Sequence, residues 1–204
     1  EVALSIDFDD SPLNGKPLLA VVEATDDRQV VVTEATSVPG HPFGLDAGYV
    51  LALEKGGSHK EIPRATWYFP GLQSGELKVK AFVKEEGDFT APLLNIFLVQ
   101  DSVQKIGPSL YIARNAVYVR DGKEWKSFAK RWDSEMVNEI AVVFHSDKTY
   151  EVKINGEPVG DTVFRYQHGA VTEINAVQFS IASRAKSASR VYIDNITVNP
   201  ISKP

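Results

Sequence analysis

The chain of 204 residues contains no cysteine. This absence excludes disulfide bonds, zinc sites built from thiolates and cysteine nucleophiles. It does not assign a compartment, because an exported protein with a large core needs no disulfides and a cytosolic protein rarely forms them. A continuous apolar run of about 18 residues is also missing, so the sequence predicts no membrane span.

An excess of basic residues is missing as well. Lys and Arg number 22 against 27 Asp and Glu, which gives a formal net charge of −5 at pH 7. Proteins that grip nucleic-acid phosphates carry the opposite balance, so we expect no nucleic-acid partner. Hydrophobic residues make up 43% of the chain, enough for the core of a soluble domain. The chain begins at Glu1 without methionine, and we interpret it as a mature or excised segment.

Sustained helical periodicity is absent, and short β-rich runs take its place. Residues 75–85 are typical: Leu77 and Val79 alternate with Lys78 and Lys80, as in a strand with one buried face. The predicted strands cover 1–8, 29–35, 48–54, 64–70, 75–85, 92–100, 109–120, 138–146, 149–155, 163–167, 175–183 and 190–198.

Turn residues separate these runs evenly and leave no linker, which predicts a single domain over residues 1–204. The stretches RDGK (120–123) and INGEP (154–158) predict tight hairpins. Many short strands at regular spacing are typical of a sandwich or a barrel. We therefore predict an all-β fold, a two-sheet antiparallel jelly-roll β-sandwich.

Three segments resemble one family, the concanavalin A-like or laminin G-like jelly-roll domains of bacteria. SIDFDDSPLNGKPL (5–18) resembles their first strand and loop, RWDSEMVNEIAVVFHSDKTYEVKINGEPV (131–159) their strand pair with an NG turn, and VQFSIASRAKSASRVYIDNITV (177–198) their closing hairpin. The resemblance covers nearly the whole chain. It implies a noncatalytic carbohydrate-binding module, secreted or on the bacterial cell surface, with a polysaccharide ligand and further domains of a parent protein.

The same fold also carries polysaccharide lyases and glycoside hydrolases, and a structural or adhesion domain without a glycan site is a further alternative. A lyase needs a cation beside the uronate carboxylate and a His or Tyr to move protons. FRYQH (164–168) is the densest cluster of these types, although lyase motifs such as an RTELR-like or QIH-like strand are absent. The candidate lyase residues are His145, Arg165, Tyr166 and His168.

Exposed aromatic rings are the candidates for sugar binding, because they stack on the apolar faces of pyranose rings. Trp67 alternates with Ala65 and Phe69, and Trp132 precedes a buried strand and resembles the family's packing tryptophan, so both are predicted to lie in the core. Trp125 follows a hairpin turn among charged neighbours and is predicted to be exposed. The remaining candidate ligand-binding residues, near it in sequence, are Tyr111, Arg114, Tyr118 and Arg120.

Carboxylates stand in both the opening and the closing strand. Asp7, Asp9 and Asp10 belong to DFDD, and Asp194 belongs to YIDN. Because the first and last strands of a jelly roll often neighbour each other, these side chains would converge as oxygen ligands for a structural Ca²⁺. The alternative is that Asp9 and Asp10 begin a turn and that Asp194 accepts backbone hydrogen bonds.

Overall fold

The computed structural model describes residues 2–24, 29–55, 62–83, 94–113, 115–181 and 189–202. Over these residues the regular structure is β-strand apart from one 3₁₀ turn, Ala35–Ser37. None of their helical segments has the length and apolar character of a membrane span. The strands are β1 (Leu4–Ile6), β2 (Ala20–Glu23), β3 (Val30–Glu34), β4 (Tyr49–Lys55), β5 (Arg64–Leu72), β6 (Gly75–Phe82), β7 (Leu94–Gln100), β8 (Ser102–Ala113), β9 (Ala116–Asp121), β10 (Glu124–Ala129), β11 (Asn138–Phe144), β12 (Thr149–Ile154), β13 (Glu157–Pro158), β14 (Phe164–Arg165), β15 (Ile174–Ile181) and β16 (Ser189–Pro200).

The strands form two antiparallel sheets. The first has the order β13-β12-β11-β6-β16-β4-β3, with β1 beside β16 and β14 beside β12. The second, seven-stranded sheet has the order β10-β9-β8-β7-β15-β5-β2. The prediction of an all-β, two-sheet antiparallel jelly-roll sandwich is confirmed. The last two strands lie inside the sheets rather than at their edges, β16 between β6 and β4 and β15 between β7 and β5.

The core lies between the inner faces of the two sheets, and tryptophans occupy it as predicted. Trp67 is fully buried and meets Phe8 and Phe179 edge to face, with ring centroids 5.9 and 6.0 Å away. Its indole N–H donates to the Leu18 carbonyl at 3.1 Å. Trp132 is 3% exposed and donates to the Val83 carbonyl at 3.1 Å. Each indole therefore keeps a hydrogen bond while its ring leaves water.

The single strand predicted over 109–120 is wrong, because this stretch is a hairpin. Strand β8 ends at Ala113 and β9 begins at Ala116, and Asn115 between them has φ +57°. Asparagine tolerates this left-handed conformation better than most residues, which makes the reversal possible there. The reversal places Tyr111 directly opposite Tyr118. Strands β2 and β10 were not predicted either.

Candidate ligand-binding face

The outer face of the seven-stranded sheet carries the sequence-predicted aromatic residues. Successive side chains of a strand point to opposite faces. Leu110 and Ile112 of β8 and Val117 and Val119 of β9 are fully buried in the core. Tyr111, Tyr118 and Arg120 alternate with them and therefore point outward, and Trp125 of β10 lies opposite Arg120.

Three of these side chains form a continuous aromatic surface, which we call the aromatic platform: Tyr111, Tyr118 and Trp125. The two tyrosine rings are stacked, with centroids 4.4 Å apart and planes inclined by 11°. The Trp125 ring meets Tyr111 at a steep angle of 66°, with centroids 4.8 Å apart. Trp125 remains 40% exposed, whereas both tyrosines are half-buried. The tyrosines thus support an indole that still presents ring surface to solvent.

Arg120 lies against the platform. Its guanidinium carbon is 5.0 Å from the Trp125 ring centroid, within the range of a cation–π contact. Its Nε donates to the Gly122 carbonyl at 3.2 Å. Arg114, the remaining predicted ligand-binding residue, lies outside the described residues.

A buried carboxylate anchors the hairpin that presents Trp125. One Asp121 oxygen accepts hydrogen bonds from the backbone N–H of Arg165 at 3.0 Å and from its Nε at 2.9 Å. The other oxygen is 2.6 Å from the ammonium of Lys126. Arg165 first, and then Lys126, hold the pKa of Asp121 far below its usual range in spite of its burial. The turn itself depends on Gly122, whose φ of +61° suits a residue without Cβ.

Tyr150 of the opposite sheet links to the strands beneath the platform. Its hydroxyl lies 3.1 Å from the Ser109 carbonyl and 3.4 Å from the Ser109 N–H, and it also contacts the Arg120 carbonyl. Tyr150 is fully buried, and this burial raises the pKa of its hydroxyl far above the usual value. A neutral phenol thus fixes the backbone that carries Arg120.

A polar strip, Asn95, Ser180, Gln178 and Thr66, continues across the sheet from the platform. Asn95 lies opposite both Tyr111 and Ser180, and Gln178 lies opposite Thr66. The Gln178 Nε2 donates to the Thr66 hydroxyl at 3.1 Å. Sequence reasoning missed this strip, although its signal was visible as the polar residues at alternate positions of VQFSI (177–181).

The candidate lyase residues lie elsewhere and take part in structural contacts. Tyr166 is 7% exposed, its hydroxyl donates to the His145 carbonyl at 3.2 Å, and burial raises its pKa. His168 Nδ1 accepts the Ile106 N–H at 2.9 Å. Arg165 is paired with Asp121, and His145 Nε2 is 3.7 Å from a Glu151 carboxylate oxygen.

Three of the four candidate metal ligands share a cleft, lined by Asp7, Asp9, Asp194, Lys80 and Asn195 among others. Asp10 does not line it. Asp194 is 4% exposed and sits at a β-bulge with Asn195 at φ +51°. Burial, more than the nearby Asp9 and Asp7, raises the pKa of Asp194 to about 6.

Hydrogen bonds to neighbouring groups engage the carboxylates of this cleft. Asp7 accepts the Asp9 N–H at 3.2 Å, and Asp9 accepts the Tyr49 N–H at 2.8 Å. Both Asp194 oxygens accept hydrogen bonds from Asn195. In the described part of the chain no group of three or more His, Asp or Glu side chains lies close enough to hold one ion. A structural calcium ion stays a prediction.

Comparison with known proteins identifies structural relatives only. No family model and no curated protein matches the chain. Among solved structures, a sialidase superimposes with a TM-score of 0.66 at 12% identity over 98% of this chain, which spans only 19% of the sialidase. The cellulose-induced protein Cip1 matches with a TM-score of 0.64 at 12% identity, over 98% of this chain and 100% of Cip1.

The alginate lyase Aly36B matches with a TM-score of 0.58 at 11% identity, over 98% of both chains. At such identities the likeness shows the fold and not the activity. It agrees with the two antiparallel sheets described above and with the family resemblance of the sequence. The chain has the concanavalin A-like jelly-roll fold that these carbohydrate-related proteins share.

Proposed function

We propose that the chain is a noncatalytic module that binds a polysaccharide on the outer face of its seven-stranded sheet. The observation that carries this proposal is the aromatic platform, with the exposed Trp125 ring held by the stacked pair Tyr111 and Tyr118. An exposed, rigid indole stacks on the apolar face of a pyranose at little entropic cost. Asn95, the half-buried member of the polar strip opposite Tyr111, would meet a sugar hydroxyl beside the platform, whereas Ser180, Gln178 and Thr66 are buried.

The position of the platform also supports the proposal. Trp125, Tyr118 and Tyr111 come from three neighbouring strands, and Asn95, opposite Tyr111, adds a half-buried polar group from a fourth. Adjacent strands lie about 4.8 Å apart, so four strands span roughly 14 Å. A row of that length fits several consecutive sugar residues of a polymer rather than a monosaccharide.

We further propose that this module acts outside the cell or on its surface, as part of a larger secreted bacterial protein. Polysaccharides of cell walls and matrices are too large to cross a membrane, so a protein that binds such a polymer meets it outside. The likeness to a sialidase of which this chain spans 19% fits a module joined to further domains. Detecting the protein in the culture medium or on intact cells would test this placement.

Affinity electrophoresis on a panel of neutral and anionic polysaccharides tests the binding function. At least one glycan should retard the native chain, and Trp125→Ala should weaken that binding about tenfold or more, as expected for a central aromatic contact. Met136→Ala is the matched control, because Met136 is 45% exposed and lies outside the platform. Equal losses in both variants would contradict the assignment of the binding face.

The catalytic alternative is tested on the same panel. Elimination by a lyase creates an unsaturated uronate that absorbs in the ultraviolet, and hydrolysis releases reducing ends. We expect neither product, because the Tyr166 hydroxyl and the His168 Nδ1 take part in structural hydrogen bonds. Turnover would replace the noncatalytic proposal. Neither binding nor turnover on any glycan would favour a structural or adhesion domain.

A further inference from the structure

We infer that the platform selects acidic sugars and that Arg120 is the residue that recognises their carboxylate or sulfate group. This inference rests on the proposed glycan-binding function of the same face and specifies its ligand. It depends on the position of Arg120, on its unused hydrogen-bond donors and on the contrast with the other arginines of the chain.

Arg120 has hydrogen-bond donors that no residue in the described part of the chain uses. A guanidinium is a planar fork of N–H groups that is always charged. The Arg120 Nε donates to the Gly122 carbonyl at 3.2 Å, and the guanidinium carbon lies 5.0 Å from the Trp125 ring centroid. Its terminal Nη groups make no hydrogen bond or ion pair with any residue in the described part of the chain.

Other arginines of the described ranges are compensated by a carboxylate. Arg64 is 3.2 Å from Glu23, Arg165 is 2.9 Å from Asp121, and Arg190 pairs with Glu54. Arg131 has no such ion pair, but it donates to the Glu157 carbonyl at 3.1 Å. Arg120 resembles Arg131 in having no carboxylate partner within these ranges, and it differs from all four because its guanidinium lies beside an exposed aromatic ring.

This arrangement matches an acidic pyranose. A sugar ring stacked on Trp125 places the substituents of its ring carbons around the indole, and the Arg120 guanidinium carbon lies 5.0 Å from the indole centroid. A carboxylate or sulfate on that sugar would accept parallel hydrogen bonds from the free Nη groups. Because Nε is held by Gly122, the guanidinium is oriented before the ligand arrives, which lowers the entropic cost of binding.

The net negative charge of the chain favours a local site as the source of any preference for acidic glycans. With a formal net charge of −5, the protein as a whole repels a polyanion. A preference for acidic over neutral glycans therefore requires a local cationic site and cannot arise from general charge attraction.

Two matched pairs of polymers test the inference. Polygalacturonate is compared with its methyl ester, and dextran sulfate with dextran, so that each pair differs in charge but not in backbone. We expect the native chain to bind one acidic polymer about tenfold or more tightly than its neutral partner. The pair that shows the preference distinguishes a carboxylate ligand from a sulfate ligand.

Arg120→Gln should reduce this preference to about onefold. Arg64→Gln is the matched control, because Arg64 lies on the same face but already pairs with Glu23. That variant should keep the preference. Arg120→Lys retains the charge without the planar fork and should recover only part of it.

The outcomes separate the inference from the proposed function. Equal affinity of the native chain for both members of each pair, or an undiminished preference in Arg120→Gln, would overturn the inference and leave glycan binding in place. If Arg120→Gln does not fold, a full preference in Arg120→Lys would overturn it as well. If the native chain binds none of the four polymers or any other glycan, both proposals fail.

Discussion

Replacing Tyr150 by phenylalanine removes one hydroxyl group from the interface between the two sheets. That hydroxyl contacts the Ser109 and Arg120 carbonyls and the Ser109 N–H, and the side chain is fully buried. A hydroxyl has a single proton, so it donates to one of these carbonyls at a time. The substitution therefore removes the hydrogen bond that the phenol donates inside the fold, at a cost of roughly 1–3 kcal/mol.

We expect Tyr150→Phe to lower the free energy of unfolding by about 2 kcal/mol and, for a domain of this size, Tm by roughly 4–8 °C. Urea denaturation at pH 7 measures the first quantity and thermal unfolding the second. Tyr166→Phe is the matched control. Its hydroxyl bonds a single carbonyl, that of half-buried His145, so its loss should cost about 1 kcal/mol.

The effect should also depend on alkaline pH. Burial raises the pKa of folded Tyr150 above its unfolded value of about 10. The neutral phenol therefore contributes its stability fully below pH ~10, and that contribution is lost as the pH rises further and the unfolded state ionises. The native chain and Tyr150→Phe should converge in this range. A difference at pH 7 below about 0.5 kcal/mol would refute the role assigned to this hydroxyl.

The charged groups lead to three more predictions. Asp121→Asn should lower the free energy of unfolding at pH 7. This difference from the native chain should shrink as the pH falls below about 4, since the folded pKa of Asp121 is lowered. Urea unfolding at a series of acid pH values measures the difference, and a constant difference would contradict the prediction. In the presence of a chelator, Asp194→Asn should raise Tm at pH ~8 but not at pH ~4. The reason is that a pKa raised to about 6 makes the ionised carboxylate destabilising above that value. A lower Tm at pH ~8 would count against this account. Thermal unfolding with and without added calcium tests the predicted calcium site of Asp7, Asp9, Asp10 and Asp194. Calcium should raise the Tm of the native chain but not that of Asp194→Asn. An unchanged native Tm would contradict the prediction.

The strand pattern could be predicted from the sequence because burial imposes a period of two on each strand. The contrast between Trp67, in an apolar pattern, and Trp125, among charged residues, separated a core ring with no exposure from one that is 40% exposed. Both assignments follow from neighbouring residues alone, which is why they needed no tertiary information.

The pairing of the strands was harder to predict from the sequence. The reversal at Asn115 was missed because no glycine or proline marks it, so Tyr111 and Tyr118 were placed on one strand instead of opposite each other. The link from Tyr150 to Ser109 and Arg120 spans 41 and 30 residues, and no local pattern encodes it. The positions of Asp194 and Asp9 relative to each other likewise depend on how β16 enters the sheet.

The contact between Asp9 and Tyr49 depends on one backbone position, Gly48. Its φ is +67°, and a Cβ there would meet the Asp9 carboxylate oxygen at 2.1 Å. The absence of a side chain lets Asp9 reach the Tyr49 N–H. The requirement for glycine was invisible in the sequence, since it arises from a segment about 40 residues away.

The interior positions of β15 and β16 have a consequence for how the chain folds. Until these last strands are synthesised, β4 and β6 have no shared neighbour, and neither have β5 and β7. A growing chain on the ribosome can therefore complete neither sheet early. The inner edges of these strands stay unpaired until residues 174–200 have been synthesised. Such long-range pairing is slow, on the order of milliseconds to seconds in all-β domains. Truncation before β15 should leave two pairs of open edges that invite aggregation rather than a smaller folded unit.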